Sequence, residues 1–404
     1  MRTLFNDGWR FAKLHIENQK PLEDGKPVLY SPEDFYGRIP SDSDFAPVTI
    51  PHDYLIYDTE NLYENSVGFY RKDFDLKVDP EKRYFLRFGG VYMNWAVWVN
   101  GKLACVWKYG YTTVEFEITD FVAEGKNSVL LIAVYQNPNS RWYSGAGIFR
   151  DVEFVVTEKS RINNDGIYFS ACPEKENDFA GKWRVKIDTE ILSPVDGMTV
   201  EHKIIFADGK ELPLFDSERK SKVSKNPAPA MGVSFNQDEN VLTEAFCASV
   251  ENPKLWDDEN PNVYLLKTSI VSGGKIIDTI ERQIGFRSVA FTDEGMFVNG
   301  LHVKIHGACM HHDLGILGAA FDLVAARRQL SRLKEMGVNA IRTSHNPQDT
   351  KYLDLADRMG FYIDDDFFDM WKNRKQFMIT ETILPFGTKG IVPLLSGVTG
   401  AILL

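Results

Sequence analysis

The chain has 404 residues, a formal net charge of −11 and a globular share of apolar and aromatic side chains. That length exceeds one ordinary domain and predicts two to four folded units. The acidic balance excludes a nucleic-acid partner, which needs concentrated Lys and Arg, and the absence of a long apolar run excludes a membrane span.

The N-terminus, Met1 to Trp9, enters polar, folded-looking sequence without a secretory leader, so a cytoplasmic location is expected. Cys105, Cys172, Cys247 and Cys309 are scattered, with no CxxC pair or metal spacing, and are read as reduced thiols. Residues 1–158 carry short runs of β type. Phe69–Leu76, Arg83–Phe88, Trp95–Val99 and Ser128–Val134 alternate, with Gly89-Gly90, Asn100-Gly101 and Asn137-Pro138-Asn139 as turn signals. Many short strands with regular turns predict a jelly-roll sandwich.

From 159 to 287 the β texture continues in Trp183–Leu192, Met198–Phe206, Asn240–Val250 and Val263–Val271. Polar stretches separate these runs, Asp216–Asn226 above all, and an immunoglobulin-like β-sandwich is expected.

After Gly285-Phe286-Arg287 the pattern changes to alternating strand and helix. Val303–Gly307 reads as a strand, and Asp322–Met336 as a helix, with apolar residues at Leu323, Ala326, Leu330, Leu333 and Met336. Gly337 closes that helix. Val338–Arg342 is the next strand, Asp349–Met359 a second helix closed by Gly360, and Phe361–Ile363 begins a third strand. This is the opening of a parallel (β/α)8 barrel, incomplete over the residues that follow the pattern.

Four stretches, in this order, resemble glycoside hydrolase family 2, the β-galactosidase/β-glucuronidase superfamily. They are Gly90-Val91-Tyr92-Met93 with Val97 to Lys102; Asn139 to Val152; Gly285-Phe286-Arg287; and Asn339 to Pro347 followed by Asp365 to Trp371. The resemblance implies a sugar-binding jelly roll at 1–158, an immunoglobulin-like sandwich at 159–287, the first strands and helices of a TIM barrel at 288–377, and a tail at 378–404 outside the family pattern. It implies a β-linked oligosaccharide or glycoside as partner, and a homo-oligomer in a full-length form. No cofactor is identifiable from the residues, although a monovalent or divalent cation accompanies some members of such a family. β-Galactoside hydrolysis is the leading expectation, with β-glucuronidase or β-mannosidase as siblings. A non-catalytic carbohydrate-binding protein is the reading from another class.

Active sites of such barrels lie at the C-terminal ends of the strands. The segments His306 to Asp313, Arg342 to Pro347 and Asp364 to Asp366 therefore bring polar side chains to one mouth. By resemblance His312 and His345 hold the glycone; Asn346, Asp365 and Asp366 complete the candidate set, with Asp366 standing where the family more often has Glu. His302 and His306 have H-x-x-x-H spacing, but on a strand and not on the helix a zinc pair uses, so no metal site is assigned. Arg141 and Trp142 are expected to brace the jelly roll against the barrel. Some family galactosidases carry an Asp near the position of Ser140, and this sequence departs from that pattern. Arg327, Arg328, Arg332 and Lys334 read as the solvated face of a helix.

Retaining glycosidases use two carboxyl groups about 5 Å apart. The family supplies both as glutamates after the fourth and seventh barrel strands, the first in an Asn-Glu pair. Here Glu381 is the only glutamate after the third strand and matches neither motif, so no catalytic residue is assigned and the chain is expected to be inactive. Met378–Leu404 is read as a one-base frameshift near Phe377. Taking the last base of each codon with the first two of the next, Phe386–Ile391 can encode Trp-Tyr-Glu-Arg-Asp. Leu395–Leu403 can likewise encode Ile-Arg-Arg-Asp-Arg-Gly-His-Pro. Both resemble what the family carries before its acid/base motif.

Overall fold

The computed structural model describes residues 1–17, 30–136, 142–225 and 239–366. The turn signal Asn137-Pro138-Asn139, Ser140, Arg141, Glu381 and the proposed frameshift fall outside these residues.

The first unit is two antiparallel sheets packed face to face. Six strands run in the order Ala46–Val48, Trp9–His15, Ser66–Leu76, Gly125–Tyr135, Trp95–Val99 and Lys102–Trp107. The opposing four are Arg2–Leu4, Val152–Glu158, Lys82–Phe88 and Val114–Glu117. Inward residues such as Trp9, Leu86, Phe88, Trp95, Val97, Phe116 and Leu131 fill the space between them. Asn100 and Gly101 both have positive φ, 49° and 77°, which suits the two-residue turn joining Val99 to Lys102. Trp95–Val99 departs from the expected alternation, because all five residues are buried. Its outer face, with Ala96 and Trp98, joins Phe69, Ile132 and Val134 in a second cluster that includes Phe35 of the 3-10 helix Pro32–Arg38. A strand covered on both faces loses its period-two exposure.

The second unit pairs Arg161–Pro173, Lys182–Leu192, Asn240–Glu251 and Phe215–Lys225 against Glu211–Leu212, Thr199–Phe206, Tyr264–Ser272 and Lys275–Ile284. The polar stretch read as a separator is in fact a strand, Phe215–Lys225, with every residue exposed. It lies at the sheet edge beside Asn240–Glu251. Charged residues on an edge strand discourage pairing with another chain, which is why it carries no apolar signature. Phe286 of the Gly285-Phe286-Arg287 seam is fully buried and packs edge-on against Phe169, Trp183 and Tyr264.

Beyond the seam, Val289–Thr292, Gly295–Val298 and Leu301–Val303 form a small antiparallel meander. The strand expected at Val303–Gly307 is therefore divided: its first residue ends the meander, and the first barrel strand is Gly307–Met310. The second and third barrel strands, Ala340–Thr343 and Tyr362–Asp365, follow in a parallel sheet. Helix Leu323–Glu335 is capped by Asp322, whose side chain accepts from the Ala325 N–H, and Gly337 follows at φ 80°. Helix Thr350–Met359 is capped by Asp349 and ends at Gly360 with φ 71°. Ala326, Leu330, Leu353, Leu355 and Ala356 pack between helices and strands with Ile341 and Ile363. Arg332 pairs with Glu335 on the exposed face, but Lys334 is not simply solvated: it donates to the carbonyls of Asp258 and Gly360. No helix among the described residues is long and apolar enough to cross a membrane.

Trp256 joins the second unit to the barrel. It is buried, donates from Nε1 to the Asp357 carbonyl at 2.7 Å and packs edge-on against Tyr362. The Asp357 carboxyl sits beside this joint, accepting from Gln283 Nε2 at 3.2 Å, with Arg287, Asp354 and Arg358 as its charged neighbours. Burial pushes it up to about 7 from its ordinary 3.8. The folded chain thus holds this proton more tightly than the unfolded chain. The resulting stability is fully present below pH 3.8 and is lost as pH rises toward 7. Denaturant titrations at several pH values are expected to show Asp357→Asn with a flatter decline than wild type over that window. Superimposable profiles would contradict the assignment.

Candidate sugar site at the barrel mouth

Alternation along the barrel strands decides what reaches the mouth. Ile341 and Ile363 face the helices, so Arg342 and Asp364, next to them and paired across the strands, turn to the opposite face. Beyond them, the strand ends present His345 and Asp366. Asp366 Oδ2 lies 2.9 Å from His345 Nδ1 and 2.6 Å from Arg342 Nη2, so one carboxylate oxygen ties the imidazole and the guanidinium together. An ionised carboxylate only accepts. His345 therefore donates from Nδ1, and Nε2 of the neutral ring is the acceptor nitrogen.

Asp365 turns the other way, accepting from the Thr343 hydroxyl, which itself accepts from the Asp366 N–H at 3.0 Å. Burial raises the Asp365 carboxyl to about 6, against the opposing pull of Thr343 and Arg150. Below that pH it becomes a neutral donor as well as an acceptor.

Asn346 is buried, and its Oδ1 accepts from the Tyr109 hydroxyl of the jelly roll at 2.7 Å. His312 is buried too. Its ring lies 4.5 Å from that of Tyr111, and burial, with Arg150 and His311 nearby, drives its pKa well below the ordinary value. These two candidates lie at the contact between jelly roll and barrel. His345, Asp365 and Asp366 lie together at the strand ends.

The residue missed from sequence is His311. It stacks on Trp142 at 5.3 Å and 15°, with His345 edge-on to both rings at 5.8 and 5.0 Å. Adjacent residues of an extended segment point to opposite sides, so only one of His311 and His312 can face the mouth. The resemblance implies His312, whereas the structure turns His312 to Tyr111 and His311 to Trp142 and His345. Trp142 thus meets the barrel as expected, through two histidines of the site. Among the described residues no group of three or more His, Cys, Asp or Glu converges to hold a metal. His302 packs against Phe297 in the meander.

A second junction lies beneath it. Asp53 of the jelly roll is buried and accepts four hydrogen bonds: from the N–H groups of Leu55, Ala146 and Ala319 at 3.1, 3.1 and 2.8 Å, and from the Tyr143 hydroxyl. Ala319 belongs to the loop that follows His311 and His312. Gly145 and Gly318, both at positive φ, allow this approach, since a Cβ on either would fall within 2.7 Å of the Asp53 carboxylate.

The family 2 glycosyl hydrolase models match in three consecutive parts: the sugar binding domain at residues 39–158, the second domain at 174–287 and the TIM barrel domain at 289–376. A β-galactosidase of Bacteroides ovatus is 34% identical over 93% of this chain and 42% of its own length. A β-glucuronidase of Bacteroides fragilis is 32% identical over 78% of this chain and 45% of its own. The chain therefore spans less than half the length of these curated relatives. A family 2 member from Bacteroides cellulosilyticus superposes with a TM-score of 0.79 at 25% identity, covering 98% of this chain and 50% of that one. Fold, mouth and matches agree: the chain belongs to glycosyl hydrolase family 2.

Proposed function

We propose that this chain carries the glycone-binding part of a retaining β-glycosidase for neutral, β-galactoside-type sugars. The observation that supports it is the charge at the mouth. Among the described residues Asp364 and Asp366 flank the Arg342 guanidinium, which is engaged by Asp366 at 2.6 Å and lies 3.9 Å from Asp364. A uronate would bring a further negative charge to this carboxylate-rich site, where the Arg342 guanidinium is already committed to Asp366. A neutral sugar meets acceptors and an imidazole suited to hydroxyl groups. Calorimetric titration at pH 7.5 is expected to show weak, millimolar binding of galactose and at least tenfold weaker binding of glucuronate, a difference of about 1.4 kcal/mol. Equal or tighter glucuronate binding would favour the β-glucuronidase reading instead.

The 404-residue polypeptide by itself is proposed to bind without cleaving. Hydrolysis with retention needs a nucleophile and a separate acid/base carboxyl. At the described mouth Asp365 is engaged with Thr343, and Asp366 with Arg342 and His345. Release of nitrophenol from a nitrophenyl β-galactoside well above background by the purified chain would contradict this.

A further inference from the structure

The loop from His345 to Asp349 is held from two sides: the Asn346 N–H donates to the Thr343 carbonyl of the barrel sheet at 3.1 Å, and side chains of the jelly roll reach the loop from the other side. Asn346 Oδ1 accepts from the Tyr109 hydroxyl at 2.7 Å. Arg150 Nη2 donates to the Pro347 carbonyl at 2.7 Å, while its Nη1 donates to the Tyr111 carbonyl at 2.8 Å. Ser344, Asn346, Gln348 and Asp349 are buried, yet the His345 side chain keeps 21% of its surface exposed. The loop thus has one side chain on display, and its neighbours serve as the mounting. Asp366 fixes the ring of His345 but not the backbone that carries it. The backbone is set one residue later, where the Asn346 N–H meets the Thr343 carbonyl and the Asn346 side chain meets the jelly roll.

We propose that Tyr109 is a positioning residue of the sugar site: through Asn346 it fixes where His345 presents Nε2. The Tyr109 ring is itself enclosed, edge-on to Tyr111 at 5.8 Å, and Tyr111 packs on His312. Its hydroxyl therefore occupies one place, and a hydrogen bond from a rigid donor restricts the loop more than one from a mobile surface group would. The jelly roll then contributes to sugar affinity without touching the sugar. The proposal rests on His345 being a glycone ligand.

The test compares Tyr109→Phe, Asn346→Ala and the double variant in the full chain, with His345→Ala as control. Imidazole nitrogen NMR without sugar reads the position of His345, and galactose titration reads its consequence. Tyr109→Phe is expected to shift the His345 nitrogen signals and to weaken galactose binding about fivefold, the scale of one lost buried hydrogen bond. Asn346→Ala should weaken binding to a similar extent, and the double variant no further than either single change, because both remove one interaction. Asn346→Asp keeps an acceptor for Tyr109 and is expected to retain near wild-type signals, which guards against a fold that fails on truncation. Unchanged His345 signals and affinity in Tyr109→Phe, with only a lower unfolding midpoint, would overturn the proposal and leave Tyr109 a packing residue. Shifted His345 signals combined with undiminished galactose binding by His345→Ala would instead uphold the positioning and refute the sugar-site reading.

Discussion

Asp53→Ala is expected to destabilise the chain by about 4 kcal/mol or more, because it strands several buried donors at about 1–3 kcal/mol each. The donors are the N–H groups of Leu55, Ala146 and Ala319 and the Tyr143 hydroxyl, and they come from both the jelly roll and the barrel loop. No water-filled space is needed to make the loss severe: Ala146 and Ala319 are themselves buried, so their N–H groups have no ready solvent substitute. Asp53→Asn should lose less, since one amide oxygen still accepts while the amide nitrogen faces donors. Burial raises the Asp53 carboxyl above its ordinary value, and the four hydrogen bonds pull the other way. Urea denaturation measures the loss. An Asp53→Ala chain within about 1 kcal/mol of wild type would show that the junction tolerates unpaired donors.

Asp366→Ala should have the opposite profile, with little effect on folding and a large effect on binding. Its side chain is only partly buried, so few packing contacts are lost. The substitution releases Arg342 and His345 together, freeing the imidazole to rotate and to exchange tautomers. Galactose affinity is expected to fall at least tenfold, about 1.4 kcal/mol, as a charge-assisted hydrogen bond to the ligand's own partner disappears. Asp366→Glu tests the geometry separately. It restores the carboxylate the family more often carries, and affinity within about threefold of wild type is expected if the longer arm still reaches His345. An Asp366→Ala chain that binds galactose normally would remove this dyad from the site.

Much of this architecture was legible in the sequence where local chemistry is strong. Asn100-Gly101 marks a two-residue turn, Asp322 and Asp349 cap the helices, and Gly337 and Gly360 follow them. What escaped has common physical causes. The exposed strand Phe215–Lys225 has no apolar face to reveal it, and Trp95–Val99, legible as a strand, is buried on both faces and so lacks the expected alternation. The choice between His311 and His312 depends on which side of an extended segment meets Tyr111 and which meets Trp142, a long-range fact absent from spacing. Asp53 was invisible for the same reason: an isolated Asp among loop residues gives no sign that four donors will converge on it. His312 is a glycone contact by resemblance, and Asn346 belongs to the same candidate set. The fold turns both toward the jelly roll, where aromatic burial outweighs exposure.

A crystal of the chain soaked with galactose at saturating concentration would show directly whether the barrel mouth is the sugar site. A sugar is expected there, with a hydroxyl within hydrogen-bond reach of His345 Nε2 and the His345–Asp366 contact intact. A sugar bound only on the jelly-roll surface, with the mouth empty, would overturn that assignment and put the non-catalytic binding reading in its place.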